Sequence, residues 1–324
     1  MTELSQVGEF ALISAITDRL ELGDDVRVGP GDDAAVVGLS GSDVVISTDS
    51  LVEGVHFRRD WSDAPDVGRK AVAVNVADIE AMGAIPVAVV VALSAPPELP
   101  VAWLEALFAG IRAECVDAGV SFVGGDLTRA PQVVIAVTAI GRLTGPAVLR
   151  SGARPGETIA ARGRLGWAAA GLRTLSRGFR SPRAAVEAYR VPQVPYGAGA
   201  AAAAAGATSL IDVSDGLLAD LGHVARASGV VCAMRTEAFE VPDTIAAVAA
   251  ATGVDPLMLV LTGGEDHALV GTFAPGAVPA DWWVIGEVRA GVPAVLVDET
   301  AWDGEAGWDH FSPALSRRSG GGSR

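Results

Sequence analysis

Apolar and polar positions alternate along this chain with two periods. The segments "AAVVGL" from Ala34, "DVVISTD" from Asp43, "PVAVVVALS" from Pro86, "VSFVGGD" from Val120 and "QVVIAVTAIGRL" from Gln132 read as strands, several with near-continuous branched apolar runs. Helical spacing marks residues 8–20, the stretch "DVGRKAVAVNVADIEAMGA" from Asp66 with Gly83 as its stop, and "VAWLEALFAGIRAECVDAG" ending at Gly119. The stretch 144–157, "TGPAVLRSGARPGE", is rich in Gly, Pro and Arg and is the candidate domain boundary. Beyond it the pattern predicts a strand at "TIAARG", helices through "LGWAAAGLRTLSRGF" and the alanine-rich 198–207, strand–turn–helix at "SLIDVSDGLLADLGHVARASG", and a strand at "VVCAMRT". Helices to about Leu261 follow, then strands at "DHALVGTF", "WWVIGEV" and "PAVLVDE". The expected class is α/β (α+β) in two domains, 1–145 and 146–316, with 317–324 as a disordered tail.

Composition narrows the class. Half of the 324 residues are apolar and 19% are charged, with mean hydropathy +0.38. That is a core-rich globular chain. No apolar run is long enough to span a bilayer, and the N-terminus has no basic, cleavable leader pattern. A net charge of −15 argues against nucleic acid and anionic membrane as partners. Cys115 and Cys232 lie far apart with no metal-binding spacing, so buried free thiols in a reducing, cytoplasmic setting are expected. Lys70 is the only lysine. A phosphate site in this chain therefore needs arginine, backbone N–H groups or metal for its positive charge.

The acids share a placement. "GPGDD" puts Asp32 and Asp33 before a strand; "STDS" closes one with Ser47, Thr48 and Asp49; Asp78 sits inside a helix among Val76, Ala77 and Ile79. "VGGD" puts Asp126 after two glycines, "IDVSDG" puts Asp212 and Asp215 around Ser214, and "LTGGEDH" puts Glu265 and Asp266 after another glycine pair. Taken singly, each is an ordinary turn or cap, and Asp215 would cap a helix starting at Gly216. Asp78 is the exception, because a carboxylate in an apolar helix needs a partner. Carboxylates without a matching His or Cys set favour an oxygen-loving ion such as magnesium. The glycine pairs read either as turns or as places where backbone closes on a phosphate. Neither a GxxxxGKS loop nor an opening GxGxxG is present.

In this order, "GDDAAV", "STDSLVEGVHF", "AVNVADIEAMGA", "GGDLTR", "RSGARPGE", "DVSDGLLADLGH" and "GGEDHAL" resemble the thiamine-monophosphate kinase family, over nearly the whole chain from Gly8 to "GWDHF" at Gly307. That family belongs to the superfamily of aminoimidazole ribonucleotide synthetase. The resemblance implies ATP-dependent phosphorylation of thiamine monophosphate to thiamine diphosphate. It also implies an N-terminal domain that pairs in a homodimer into a barrel-like core, and a C-terminal α+β domain. By motif it assigns Asp33, Ser47, Thr48, Asp49, Asp78, Asp126, Asp212 and Asp215 to magnesium, several ions in all, with Asp49, Asp78 and Asp126 central to catalysis. Phe108, Gly125, Asp126, Arg150 and Ser214 fall to ATP; Phe108 stands where many members carry tyrosine. His56, Glu265 and Trp308 fall to the thiamine phosphate. Trp308 also reads as an apolar anchor for the C-terminus, His56 as a surface histidine, and His223 and His267 as structural. The terminal cysteine of the hydrogenase maturation factor and the early Cys or selenocysteine of selenophosphate synthetase have no counterpart here, which favours the kinase over those siblings. A non-catalytic ATP-binding protein would be expected to have lost some of the acids.

Overall fold

The structure is a computed structural model; it describes residues 25–39, 42–302, 304 and 306–308. The helix expected over residues 8–20 and the tail 317–324 lie outside the described residues.

Two sheets account for the strands. The first has the order β1-β2-β3-β6-β4-β5, with β1 Val26–Val28, β2 Ala35–Leu39, β3 Ser42–Val52, β4 Ile85–Ala95, β5 Ser121–Arg129 and β6 Val134–Arg142. It is antiparallel except for the β4–β5 pair. Strand β5 runs through the glycines of "VGGD" rather than ending at them. Among the described residues of one chain this sheet is open, with β1 and β5 at its edges. The second sheet has the order β13-β12-β9-β11-β7-β10-β8. Its strands are β7 Thr158–Arg162, β8 Ser209–Asp212, β9 Val231–Met234, β10 Leu269–Phe273, β11 Trp283–Arg289, β12 Ala294–Val297 and β13 Thr300–Ala301. The chain crosses between the sheets over residues 143–157, the expected break.

One helix lies between them. Helix α1, Ala64–Ala81, packs against β3, β4 and β6 of the first sheet and β8 and β10 of the second. It is buried almost all round, as its nearly continuous apolar sequence requires. Helix α2, Val101–Asp117, lies alongside it. The two backbones come so close that a Cβ on Gly110 would stand 2.1 Å from the Pro65 carbonyl oxygen. Strand β6 shows the consequence for the sheet: its residues alternate between buried and half-buried, so among the described residues only one face is fully covered. The uncovered face carries Ile46, Thr48, Val90, Thr138 and Ile140.

The second sheet is flanked by α3 Trp167–Ser176, α4 Arg183–Arg190, α5 Ala198–Ala204, α6 Leu217–Ser228, α7 Asp243–Thr252 and α8 Pro256–Thr262. Helix α5 is the alanine-rich run, and it packs on α1 as a small-residue helix should. There the buried Glu80 of α1 accepts from Gly197 N–H at 2.7 Å and Gly199 N–H at 2.8 Å. Among the described residues no single helix is long and apolar enough to cross a membrane, and α7 and α8, apolar enough together, meet at 108°. Both cysteines are free and buried. Burial pushes the Cys115 thiol up to about 11 and that of Cys232 up to about 12, so neither is a ready thiolate.

Candidate active site

Helix α1 brings its polar residues to one junction. Asp78 faces β3, where Ser47 Oγ donates to its Oδ2 at 2.5 Å. One turn earlier Asn75 Oδ1 accepts the Asp49 N–H at 2.7 Å, and Asn75 Nδ2 donates back to the Ala71 carbonyl. Strand alternation then decides which β3 side chains reach this cluster. Ser47 faces α1, so Thr48 faces the other way. Its hydroxyl donates to the Val137 carbonyl at 2.9 Å and accepts from Thr138 at 3.1 Å.

Asp33 arrives from the turn before β2, and Asp212 from the end of edge strand β8. One carboxylate oxygen from each of Asp33, Asp78 and Asp212 lies within 4.8 Å of the others. Three like charges gathered this way oppose ionisation. Burial, with Asp49, Asp212 and Asp33 adding repulsion, holds the Asp78 carboxyl well above its ordinary range. Asp33 is pushed up to about 7, chiefly by burial and also by Asp212 and Asp32, with Arg150 opposing.

The two acids of "GPGDD" separate in role. Asp33, with a side chain 1% exposed, takes a two-pronged contact from Arg150, Nη2 at 2.6 Å and Nε at 3.1 Å. Asp32 orders the turn instead: its Oδ1 accepts the Asp33 N–H at 3.1 Å and its Oδ2 the Arg150 N–H at 3.0 Å. Ser228 of α6 fixes the Arg150 loop from behind, donating to the Arg150 carbonyl and accepting from Ala153 N–H.

Two turns of the second sheet, at Ser214 and Glu265, meet each other and helix α1. Glu265 has φ +65°, rare for a residue with a Cβ, and its N–H donates to the Ser214 carbonyl at 2.7 Å. The glycine before it permits this contact, because a Cβ on Gly264 would stand 2.5 Å from that same carbonyl oxygen. Trp308 N–H donates to the Asp215 carbonyl at 3.0 Å, which draws the C-terminal "GW" to the same turn. Trp308 remains 38% exposed there. His56 lies after β3; its Nδ1 accepts the Val52 N–H at 2.9 Å.

Two local expectations change here, the cap at Asp215 and the turn at Gly125. Asp215 does not cap the next helix. That helix begins at Leu217 behind an N-cap Gly216 with no side-chain cap bond, and Asp220 Oδ2 accepts the N–H groups of Asp215 and Gly216. Gly125 lies mid-strand, not at a turn. A Cβ there would stand 1.8 Å from the Val91 carbonyl oxygen, so strand β4 is the backbone it admits. Asp126 is exposed on edge strand β5, outside the three-carboxylate group. Phe108 stacks on Phe122 of β5 at 5.8 Å between ring centres. His267, structural in the sequence reading, places Nδ1 2.8 Å from Asp212 Oδ2 and so orients that carboxylate. Burial disfavours its protonation, but the Asp212 contact outweighs this and raises its pKa. Asp266 accepts from Gly166 and Ala168 N–H at the start of α3. Burial pushes its carboxyl up to about 7.

The chain matches the family model "AIR synthase related protein, N-terminal domain" over residues 31–143. The thiamine-monophosphate kinase of Mycobacterium tuberculosis is 50% identical over 310 residues, 95% of this chain and 93% of the relative. That of Corynebacterium glutamicum is 40% identical over 88% of this chain and 87% of the relative. The chain belongs to the thiamine-monophosphate kinase family. A solved structure, AaThiL complexed with AMPPCP and TMP, superposes with a TM-score of 0.89 at 31% identity, covering 96% of this chain and 99% of that one. Thiamine-monophosphate kinase membership accounts for the layout above: two mixed sheets, with acids from both meeting beside one central helix.

Proposed function

We propose that this chain transfers the γ-phosphoryl group of ATP to the phosphate of thiamine monophosphate, yielding thiamine diphosphate and ADP. The observation that carries the reading is the meeting of Asp33, Asp78 and Asp212, from both halves of a chain half-identical to a thiamine-monophosphate kinase. The attacking atom is a phosphate oxygen, largely ionised at neutral pH, so no side chain has to act as a strong base. What the protein must supply is alignment and charge compensation between two anionic substrates.

The donor set fits magnesium. The cluster is all oxygen, with no nitrogen or sulfur donor among its three members, and repulsion within it would be relieved by a cation. Asp33, Asp78 and Asp212 would hold the ions directly, with Ser47, Thr48, Asp49, Asp126 and Asp215 as further ligands. Thr48 would act through its backbone or a water, since its side chain faces away. Bound there, magnesium would neutralise phosphate charge as the transition state forms. Gly125, Asp126, Arg150, Ser214 and the Phe108 ring are proposed to meet ATP. Arg150 would exchange part of its contact with Asp33 for phosphate oxygens. His56, Glu265 and Trp308 are proposed to meet thiamine monophosphate, a carboxylate and an indole face being suited to a cationic thiazolium.

The purified protein should form thiamine diphosphate from ATP, magnesium and thiamine monophosphate, measured by chromatography of the thiamine species. Bound nucleotide without product would overturn the reading.

Two organisational proposals accompany it. The sheets fit domains 1–145 and 146–316. The uncovered face of the first sheet, and Val123 and Leu127, each 61% exposed on edge strand β5, support a homodimer through that sheet. Sedimentation should give twice the chain mass of 32.9 kDa; a monomer at micromolar concentration would refute it.

A further inference from the structure

The only lysine of the chain is almost wholly enclosed, its side chain 2% exposed. Lysine is seldom buried, and a buried ammonium needs both a counter-charge and acceptors for its hydrogens. Lys70 has both. Its Nζ donates to Glu265 Oε1 at 2.8 Å, to the His56 carbonyl at 3.1 Å and to the Tyr189 carbonyl at 3.5 Å. It also stands 4.6 Å from the centre of the Tyr189 ring. Three acceptors match the three hydrogens of an ammonium. The planar fork of an arginine would not meet acceptors spread over three segments in this way.

The segments are what matter. His56 follows β3 in the first half of the chain, Glu265 precedes β10 in the second, and Tyr189 is near the end of α4. Glu265 has its backbone held by Ser214 and its carboxylate held by Lys70, yet its side chain stays 32% exposed. The pair thus keeps its cation inside and turns its anion outward. His56 is fixed twice, through its carbonyl to Lys70 and through Nδ1 to the Val52 N–H. An Nδ1 that accepts leaves the ring proton of a neutral imidazole on Nε2.

We infer that Lys70 is the positioning residue of the thiamine end of the site: one ammonium fixes the spacing between Glu265 and His56 across the two halves of the chain. The inference rests on the assignment of those two residues to thiamine monophosphate. Lys70 lies on α1 two turns before Asp78, and its partners are not the carboxylates of the cluster. Its loss should therefore weaken capture of the thiamine substrate and spare ATP and the chemical step.

The test is a double-mutant cycle of Lys70→Met and Glu265→Gln, with KM for each substrate and kcat read separately. Lys70→Met should raise KM for thiamine monophosphate roughly 10- to 100-fold, with KM for ATP and kcat within about threefold. In the Glu265→Gln background the same change should add no more than about twofold, because the carboxylate it positions is gone. Unchanged KM for thiamine monophosphate, or effects that multiply, overturns the inference. Should Lys70→Met fail to fold, Lys70→Gln takes its place. Loss of fold in both, with Glu265→Gln folded, makes Lys70 a structural residue and also overturns it. Wild-type protein that makes no thiamine diphosphate overturns the functional reading and this inference with it. Active wild type with multiplying effects overturns the inference alone.

Discussion

Asp78→Asn should lower kcat by about 10²- to 10³-fold and leave the metal-free protein as stable as the wild type or more so. The two effects have one cause. Asp78 is held well above the ordinary carboxylate range by burial and by Asp49, Asp212 and Asp33. A group whose folded pKa is raised favours the folded state at low pH, and that advantage is lost as pH rises from the unfolded value, about 3.8, through the folded one. Above that window the ionised carboxylate opposes folding unless a cation is bound. Asparagine has no such charge, and its carbonyl can still accept from Ser47. Melting curves from pH 5 to 8 without divalent ions should fall less steeply for the variant. Added magnesium should raise the wild-type melting temperature and move the variant little. Near-normal turnover would remove Asp78 from the site.

Asp33→Asn should cost far more activity than Asp32→Asn. Asp33 gives both oxygens to Arg150 and one to the carboxylate group, so losing its charge disturbs the proposed cation site and the arginine together. A drop of about 10²- to 10³-fold in kcat is expected, together with a lower melting temperature, because an asparagine leaves one Arg150 N–H facing an amide. Asp32 accepts two backbone N–H groups, one on each oxygen. An asparagine can satisfy only one of them, which leaves a donor facing an amide and costs about 1–3 kcal/mol of stability. Asp32→Asn should therefore melt earlier while keeping kcat within about tenfold. Equal losses of activity in the two variants would contradict this division.

Period and punctuation carried most of the fold. The branched apolar runs became strands, "DVGRKAVAVNVADIEAMGA" became α1, and the Gly/Pro/Arg-rich stretch became the crossing between sheets. The three clustered acids were also legible, because an Asp inside an apolar helix and others at strand ends are costly unless they meet. Less legible was anything that depended on pairing between distant strands. Thr48 turns away from Asp78 because the pairing of β3 with β6 sets it opposite Thr138, and no local signal sets that register. Gly125 lies mid-strand because β5 pairs in parallel with β4, a contact formed only after a crossover helix. The service of Asp220 and Asp266 to backbone N–H groups was hidden for a similar reason. Beside Asp215 and Glu265 they look like further members of an acidic site, and only the folded turns separate them.

Helix α1 belongs to the first half of the chain by sequence, yet two of its buried charges find partners in the second: Lys70 with Glu265, and Glu80 with the N–H groups of Gly197 and Gly199. The halves are thus not interchangeable parts. A chimera that joined this N-terminal half to the C-terminal half of a sibling enzyme would bury an unmatched ammonium and an unmatched carboxylate unless the graft brought its own acid and its own pair of small-residue amides to those two places. Divergence of substrate within such a fold is then constrained at the seam: the residues flanking α1 must change in concert with the helix, even where they never touch a ligand.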